Sequence, residues 1–356
     1  MPAYDFNEGF LRLKNVPIGQ ADRPPVFAQM HEFAMGYCDV SGVKFYQDAE
    51  LYVRGILDTA KAFQIDIPDI VWDAYNVEAE ALGVKVFFSE NSSPALDQTP
   101  LIQNESDLAK LKIPNPSTSG RYPWVRDCMQ VFEELTGVPT PLTFCSPFSL
   151  ATLLVGYEKL VMQAYTNPQF VHKVLTVITE EVIAPFINTV FQKFPQCPAA
   201  DGSDALSSLP FLTEAMLKEY SVPYILKLKE LCGDQVLVRN WWGDSYARDL
   251  EGFWDQKLEV GNSVLEVQDP DLNKIGPDRV VAYALKKEVP IIFGIDQTLL
   301  SSGTPAEIEK RIKSYIEIAG EHKKLIIYLC NLNYNTPEEN VIAAIQAVNK
   351  YGYYSS

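Results

Sequence analysis

Polar and acidic side chains follow short apolar runs at several places along this chain of 356 residues. One such run leads into AADGSDA, which contains Asp201 and Asp204 with a glycine directly after Asp201. A glycine at such a point lets a substrate or another backbone approach closely. Carboxyl groups act in enzymes as proton donors, proton acceptors or metal ligands. We therefore predict catalytic roles for Asp201 and Asp204, with a turn-capping role also open for Asp204.

Aromatic residues gather after another apolar run, in the sequence NWWGDSY. Aromatic rings stack on planar ligands and surround methyl-bearing groups far better than they hold a metal. Because Trp241 and Trp242 are adjacent, only one of them can face the site if the strand continues through them. The predicted substrate-binding residues are Tyr75, Asn240, Trp241, Trp242, Tyr246 and Gln268.

His31, Glu32 and Cys330 also follow predicted strands. We predict a catalytic role for His31 and name Cys330 and Glu32 as candidate metal ligands. His31 and Asp201 or Asp204 are further possible donors, so zinc is a candidate cofactor. Two other interpretations stay open, namely Cys330 as an inert buried thiol and His31 as a hydrogen-bonded structural histidine. Glu78 and Glu80 are predicted to lie on a solvated helix face.

The elements that position these residues are clearest near the end of the chain. PIIFGIDQTLLSSGTPAEIEKRI (290–312) and KKLIIYLCNLNYNTPEENVIAAI (323–345) each consist of a β-branched apolar run, a polar cluster and a Thr-Pro-capped amphipathic helix. Two strand–loop–helix units in a row predict parallel strands. The pattern extends back to about residue 25 without a linker, which predicts one α/β domain over 1–356, a (β/α)8 TIM barrel with an N-terminal extension. In this fold the carboxyl ends of the strands carry the chemistry, so we predict an enzyme.

Composition narrows the classes of partner. The formal net charge is −16, and no Lys/Arg cluster could neutralise phosphates, so we do not expect nucleic acid binding. The six cysteines are scattered singly, which is typical of reduced thiols and not of a disulfide scaffold. No apolar run approaches the roughly 20 residues of a membrane span, and the opening MPAYDFNEGFLRLKN does not resemble a signal peptide. We expect a cytoplasmic protein without a membrane partner, and a homodimer is compatible with its acidic surface.

The amino-acid sequences of several segments resemble those of the uroporphyrinogen decarboxylase superfamily. FGID, GTPAEI, YLCN and TPEEN correspond to the strand ends and helix starts of the last two barrel units of that superfamily. The resemblance continues upstream through the ranges 63–83, 142–158 and 211–231, so it covers nearly the whole chain.

The resemblance also separates branches of the superfamily. The decarboxylases carry an arginine-containing segment after the first strand that clamps substrate carboxylates, whereas MHEFAMGY (30–37) contains no arginine. The thiol-alkylating methyltransferases hold zinc with a His-x-Cys-Gly segment and a later cysteine. When that segment is aligned on Gly243, Asn240 and Trp242 replace its histidine and cysteine, and only Cys330 remains of the three ligands. Both porphyrinogen decarboxylation and thiol methylation are therefore disfavoured.

An aromatic cluster beside an incomplete set of zinc ligands resembles the aryl O-demethylating methyltransferases of the same superfamily. The resemblance implies removal of a methyl group from a methoxylated aromatic and its transfer to the cobalt of cobalamin or another corrinoid, carried by a partner corrinoid protein. Three alternatives stay open: a decarboxylase acting on another substrate, a methylcobalamin-dependent methyltransferase with a thiol or folate acceptor, and a non-catalytic barrel that serves as a binding subunit.

Overall fold

The computed structural model describes residues 2–71, 73, 75–239, 243–320 and 322–354. The strands are β1 (Val26–Ala28), β2 (Val86–Phe87), β3 (Ala95–Leu96), β4 (Leu142–Cys145), β5 (Ala200–Ser203), β6 (Val236–Val238), β7 (Leu265–Gln268), β8 (Ile291–Ile295) and β9 (Leu325–Leu329).

The helices of the first half are α1 (Asn7–Asn15), α2 (His31–Tyr37), α3 (Gly42–Phe45), α4 (Ala49–Phe63), α5 (Asn76–Ala81), α6 (Glu105–Ala109), α7 (Tyr122–Thr136), α8 (Pro147–Val155), α9 (Tyr157–Thr166) and α10 (Pro168–Val177). Those of the second half are α11 (Ala184–Lys193), α12 (Glu214–Met216), α13 (Val222–Cys232), α14 (Leu250–Val260), α15 (Asp271–Ile275), α16 (Pro277–Lys287), α17 (Gln297–Ser302), α18 (Pro305–Ala319) and α19 (Glu338–Tyr351). Short π-helical turns (Ile178–Ile183 and Leu217–Ser221) and 3₁₀ turns (Ala205–Ser207 and Asp244–Tyr246) interrupt or join them.

Seven of the strands form two parallel sheets, in the orders β1-β9-β8-β7 and β4-β5-β6. The segment 65–71 occupies the position between them: Phe27 bridges to Ile67 in parallel, and the Thr143 hydroxyl donates to the Ile70 carbonyl at 3.2 Å. Eight barrel positions alternate with helices, which confirms the predicted (β/α)8 TIM barrel. The short β2–β3 hairpin is antiparallel and lies outside this set.

The second barrel position differs from the sequence prediction. The sequence DIVWDAY (69–75) predicts a regular strand, but the strand pairing found among the described residues from 65 to 75 is a single isolated bridge at Ile67, just before this segment. Pro68 has no backbone N–H to donate to a sheet ladder, which accounts for the irregular backbone here.

Side chains alternate between two environments along β5 and β6. Ala200 and Val238 point outward and are buried under the helices, whereas Asp201, Ser203 and Arg239 point inward and are partly exposed. A strand in a barrel sends alternate residues to its interior. The polar residues therefore line the inner face, and the apolar ones hold the helices.

The N-terminal extension closes one end of the barrel. Val16 and Ala21 form a small apolar cluster with Ile292 and Ile326, which lie near the starts of β8 and β9. The amino-terminal end of the inner face is thus packed with hydrophobic side chains. The polar inner face lies toward the opposite, carboxyl-terminal end.

The two Thr-Pro helix starts behave differently. Thr304 and Glu307 form a reciprocal capping box at the start of α18, as the sequence predicts. The second prediction is wrong in detail, because α19 has Pro337 at its N-cap and no side-chain cap. The hydroxyl of Thr336 instead accepts from the Asn333 backbone N–H at 3.0 Å and closes the preceding turn.

One helical stretch of the described chain, Pro168–Lys193, is long and apolar enough to cross a membrane. Of its most apolar window, 56% is buried inside the protein. Its residues Phe170, Val174 and Ile187 belong to the main hydrophobic core. This helix is therefore explained as a core helix of the barrel layer.

Candidate active site

The inner face carries a group of charged side chains that we call the acid–arginine cluster, defined as Asp69, Asp201, Arg239 and Glu266. Asp201 lies on β5, Glu266 on β7, Arg239 directly after β6, and Asp69 in the segment 65–71. The guanidinium of Arg239 donates a hydrogen bond to the Asp201 carboxylate. Both of these side chains keep about a quarter of their surface exposed (25% and 28%), so a ligand can reach them.

The carboxyl groups of the cluster have unusual protonation behaviour. Burial, with the negative charges of Asp201 and Glu266, raises the pKa of Asp69 to about 7, although Arg239 opposes the shift. Burial also raises the pKa of Asp201, and the pairing with Arg239 opposes it. A carboxyl group whose pKa is raised toward neutrality by burial and by neighbouring charges is typical of a general acid. Asp69 can therefore carry a proton near neutral pH, and the Arg239 guanidinium favours the ionised form of Asp201 against the effect of burial on its pKa.

Gln268 connects the cluster to Cys330. Its amide donates to the Glu266 carboxylate, and its carbonyl accepts from the Cys330 thiol at 3.2 Å. A side chain on Gly294 would lie 2.6 Å from Gln268 and 2.7 Å from the sulfur of Cys330, so only glycine fits in the FGID segment. Burial, followed by the charge of Glu266, raises the pKa of Cys330 well above its ordinary value, so this residue stays a thiol.

His31 and Glu32 are engaged in a separate network. Nδ1 of His31 lies 2.7 Å from the hydroxyl of Tyr46, and Nε2 lies 3.3 Å from the amide of Gln29. Burial lowers the pKa of His31 to about 4 despite the nearby charge of Glu32, so the imidazole is neutral. Glu32 accepts from the backbone N–H and hydroxyl of Ser93, at 2.9 and 2.6 Å, which anchors the β2–β3 hairpin.

The candidate metal donors do not come together. Cys330 contacts Gln268, Glu32 contacts Ser93, and His31 contacts Tyr46. Across the described ranges, no group of three or more His, Cys, Asp or Glu side chains is arranged to hold a metal ion. The donor set of these ranges therefore does not fit zinc, and we derive no step through a metal.

The two β5-end aspartates are separated by the structure. Asp204 is fully buried and accepts from the Ser149 backbone N–H at 3.1 Å, the Ser149 hydroxyl at 2.8 Å and the Ser221 hydroxyl at 2.6 Å. This arrangement ties α8 and the turn before α13 to the end of β5, which supports an anchoring role. Only Asp201 of the pair joins the acid–arginine cluster.

The predicted aromatic residues have different positions. The Tyr75 hydroxyl accepts from Ser203 at 2.7 Å, which brings the tyrosine to the end of β5. Tyr246 is 54% exposed and lies under the ammonium group of Lys274, in a surface pocket described below. Asn240, Trp241 and Trp242 lie outside the described residues. Another aromatic pair lies on the inner face, where Tyr328 stacks on Phe27 with ring centroids 4.4 Å apart.

Glu78 and Glu80, which the sequence predicts on a solvated helix face, are instead buried or paired with an arginine. Glu78 is buried and accepts from the Cys145 backbone N–H at 3.0 Å, and burial raises its pKa to about 8. Glu80 pairs with Arg121, which also pairs with the buried Asp73. Burial raises the pKa of Asp73 to about 6, with Arg121 opposing the shift. The helical pattern misled the prediction because α5 is covered by other elements of the barrel layer.

Sequence reasoning missed Asp69, Arg239 and Glu266. It considered only the residues at the far ends of the predicted strands. Glu266 lies within β7, Arg239 precedes Asn240 in the predicted strand, and Asp69 comes before the apolar run of the second barrel position. Counting back two residues from Gln268 would have found Glu266. The pairing of Arg239 with Asp201 spans 38 residues and has no signal in the local sequence.

Comparisons with known proteins agree with this architecture. Residues 13–351 match the uroporphyrinogen decarboxylase (URO-D) family. A uroporphyrinogen decarboxylase from Aromatoleum aromaticum is 27% identical over 154 residues, which are 41% of this chain and 41% of that protein. One from Xanthomonas campestris pv. campestris is 24% identical over 186 residues, 49% of each chain. The matches thus span about half the length of these relatives or less.

A solved structure extends the likeness over nearly the whole chain. A methyltransferase from Methanosarcina mazei superposes with a TM-score of 0.78 and covers 96% of this chain and 98% of its own, at 17% sequence identity. At that identity the likeness concerns the fold. Since the family match extends over most of the sequence, the chain belongs to the uroporphyrinogen decarboxylase (URO-D) family.

Proposed function

We propose that this protein is a methyltransferase that removes a methyl group from a methoxylated aromatic compound and transfers it to the cobalt of a corrinoid protein. The observation that carries the proposal is the acid–arginine cluster, where burial and two negative neighbours raise the pKa of Asp69 to about 7. A carboxyl group protonated near neutral pH, on a partly exposed inner face, suits proton donation to a leaving oxygen.

The chemistry of ether cleavage explains why such a group is needed. The methyl carbon leaves an aryl oxygen, and the electron pair of the broken bond stays on that oxygen. A phenolate is a poor leaving group unless it is protonated or polarised as the bond breaks. The corrinoid, when bound, supplies the reduced cobalt whose electron pair forms the new bond to the methyl group.

In this proposal Asp69 and Asp201 have different tasks. Asp69 gives its proton to the ether oxygen and becomes a carboxylate. Asp201 stays ionised against Arg239, and its charge keeps the pKa of Asp69 high until the substrate is bound. In this proposal a carboxyl group protonates the ether oxygen as the bond to the methyl carbon breaks. This agrees with the separation of the candidate metal ligands Cys330 and Glu32, which have different partners.

Aromatic side chains support an aryl substrate. Phe27 is partly exposed on the inner face and stacks on Tyr328, and Tyr75 reaches the end of β5 through Ser203. Such walls suit a flat ring.

The decarboxylase names of the relatives favour a second candidate, decarboxylation of a substrate with several carboxylates. Such a substrate calls for free arginines that bind carboxylates bidentately. In and directly after the described parallel strands, Arg239 is the one arginine, and it is paired with Asp201. The charge of the inner face thus supports the methyltransferase over the decarboxylase.

The test is a methyl-transfer assay with purified protein, cob(I)alamin and a guaiacol-type methyl ether. We expect methylcobalamin and a catechol to form in equal amounts. Parallel reactions with methylcobalamin and coenzyme M or homocysteine should give no thioether, and uroporphyrinogen should not lose carbon dioxide. Thioether formation or decarboxylation without ether cleavage would overturn the proposal.

A further inference from the structure

A surface pocket of about 440 Å³ lies beside the carboxyl-terminal end of the barrel, between the segment 244–250 and the helices α15 and α16. Its lining includes Tyr246, Arg248, Lys274 and Arg279. Small-molecule sites in proteins commonly have volumes of roughly 300 to 1,000 Å³. The pocket is therefore large enough for a small organic ligand.

The charge of this pocket is opposite to that of the whole chain. Arg248, Lys274 and Arg279 are exposed, and none of them forms an ion pair with a carboxylate in the described part of the protein. Three such cations in one pocket are unusual for a chain with a net charge of −16.

The one carboxylate in the pocket lining does not cancel these charges. Asp244 is buried, lies 3.0 and 3.1 Å from the Lys257 ammonium, and accepts from the Trp254 indole at 2.8 Å. Its charge is therefore neutralised from the protein side. Arg248, Lys274 and Arg279 thus place three positive charges on the solvent side of the pocket, against the one Glu214 carboxylate that accepts from the Arg248 backbone N–H.

The loop that forms one wall is held in place without a ligand. The backbone N–H of Gly243 donates to Asp271 at 2.8 Å, and the Ser245 hydroxyl donates to the same carboxylate. Gly243 has φ +92°, and any side chain there would collide with the backbone of Leu209. A wall fixed at these points gives a pocket that is formed before binding, which lowers the ordering cost of a ligand.

We infer that this pocket binds a phosphate- or carboxylate-bearing small molecule with a planar ring. The guanidinium groups of Arg248 and Arg279 present planar pairs of N–H donors, which match phosphate and carboxylate oxygens, and Lys274 adds a point charge. The Tyr246 ring is 54% exposed, so it can stack on the planar part of the ligand. The inference does not depend on methyl transfer, because Arg248, Lys274 and Arg279 lie outside the acid–arginine cluster, and it assigns Tyr246 to this pocket instead of the predicted substrate wall.

The experiment is calorimetric titration of the full chain with phenyl phosphate and with benzoate, using phenol as the neutral probe. We expect saturable binding of at least one anion and none of phenol. The tighter anion identifies the ligand class. The absence of saturable binding of both anions at millimolar concentrations would overturn the inference.

Matched variants locate the binding. The double variant Lys274→Gln/Arg279→Gln should weaken anion binding at least tenfold. Lys110→Gln/Lys112→Gln changes two exposed lysines elsewhere and should leave it within twofold, although the net charge changes equally. Tyr246→Ala should weaken phenyl phosphate more than inorganic phosphate. Unchanged binding in the first double variant, or an equal loss in both, would place the anion outside this pocket.

Discussion

Asp201 and Asp204 lie three residues apart at the end of the same strand, but they occupy opposite environments. Asp201 points to the inner face, is partly exposed and pairs with Arg239. Asp204 is fully buried and accepts hydrogen bonds from Ser149 and Ser221. One short acidic sequence therefore supplies both a candidate reactive group and a structural anchor. The role of each aspartate follows from its hydrogen-bond partners and its burial.

The anchor should matter most for stability. Replacing Asp204 with Ala removes the shared acceptor of Ser149 and Ser221 and leaves their buried donors without it, which should cost about 3 kcal/mol or more of unfolding free energy. Urea unfolding followed by circular dichroism measures the change. Asp204→Asn keeps one acceptor and should lose less. A stability close to that of the wild type in Asp204→Ala would show that the hydroxyl network is not an anchor.

The inner-face aspartate should matter most for activity. Asp201→Asn removes the negative charge that keeps Asp69 protonated, and the positive charge of Arg239, no longer balanced by Asp201, then favours the Asp69 carboxylate. Methyl transfer should fall by roughly 100-fold or more. The unfolding free energy should stay close to that of the wild type, because the amide still accepts from Arg239. Wild-type turnover in this variant would reduce Asp201 to a structural residue.

A smaller effect is expected at Cys330. Its thiol is neutral and donates to Gln268, and the hydroxyl of a serine can donate the same hydrogen bond. Cys330→Ser should therefore change kcat for ether cleavage by less than about threefold, since no reacting interaction is lost. A loss comparable to that of Asp201→Asn, with metal detected in the wild-type protein, would instead favour a metal-dependent step.

The sequence predicts the barrel well because its signals are local and repeated. Apolar runs, the capping box at Thr304 and the glycine of FGID each act within a few residues. The inner face was harder to predict, since Arg239 and Asp69 are brought to Asp201 by barrel closure. His31 and Glu32 follow a strand as expected, yet their partners Tyr46 and Ser93 come from elements that strand-end reasoning did not include.

The pH dependence of ether cleavage, measured side by side in the wild type and in Asp69→Asn, tests the central claim most directly. Asp69 donates a proton only while it is protonated, which holds below its raised pKa of about 7 and fails above it. The wild-type kcat/KM, which reports groups of the free enzyme, should be constant on the acidic side and fall about tenfold per pH unit above roughly 7. Asp69→Asn should be slower and lack this fall. A wild-type rate that rises through neutral pH, or an unchanged fall in the variant, would contradict the account.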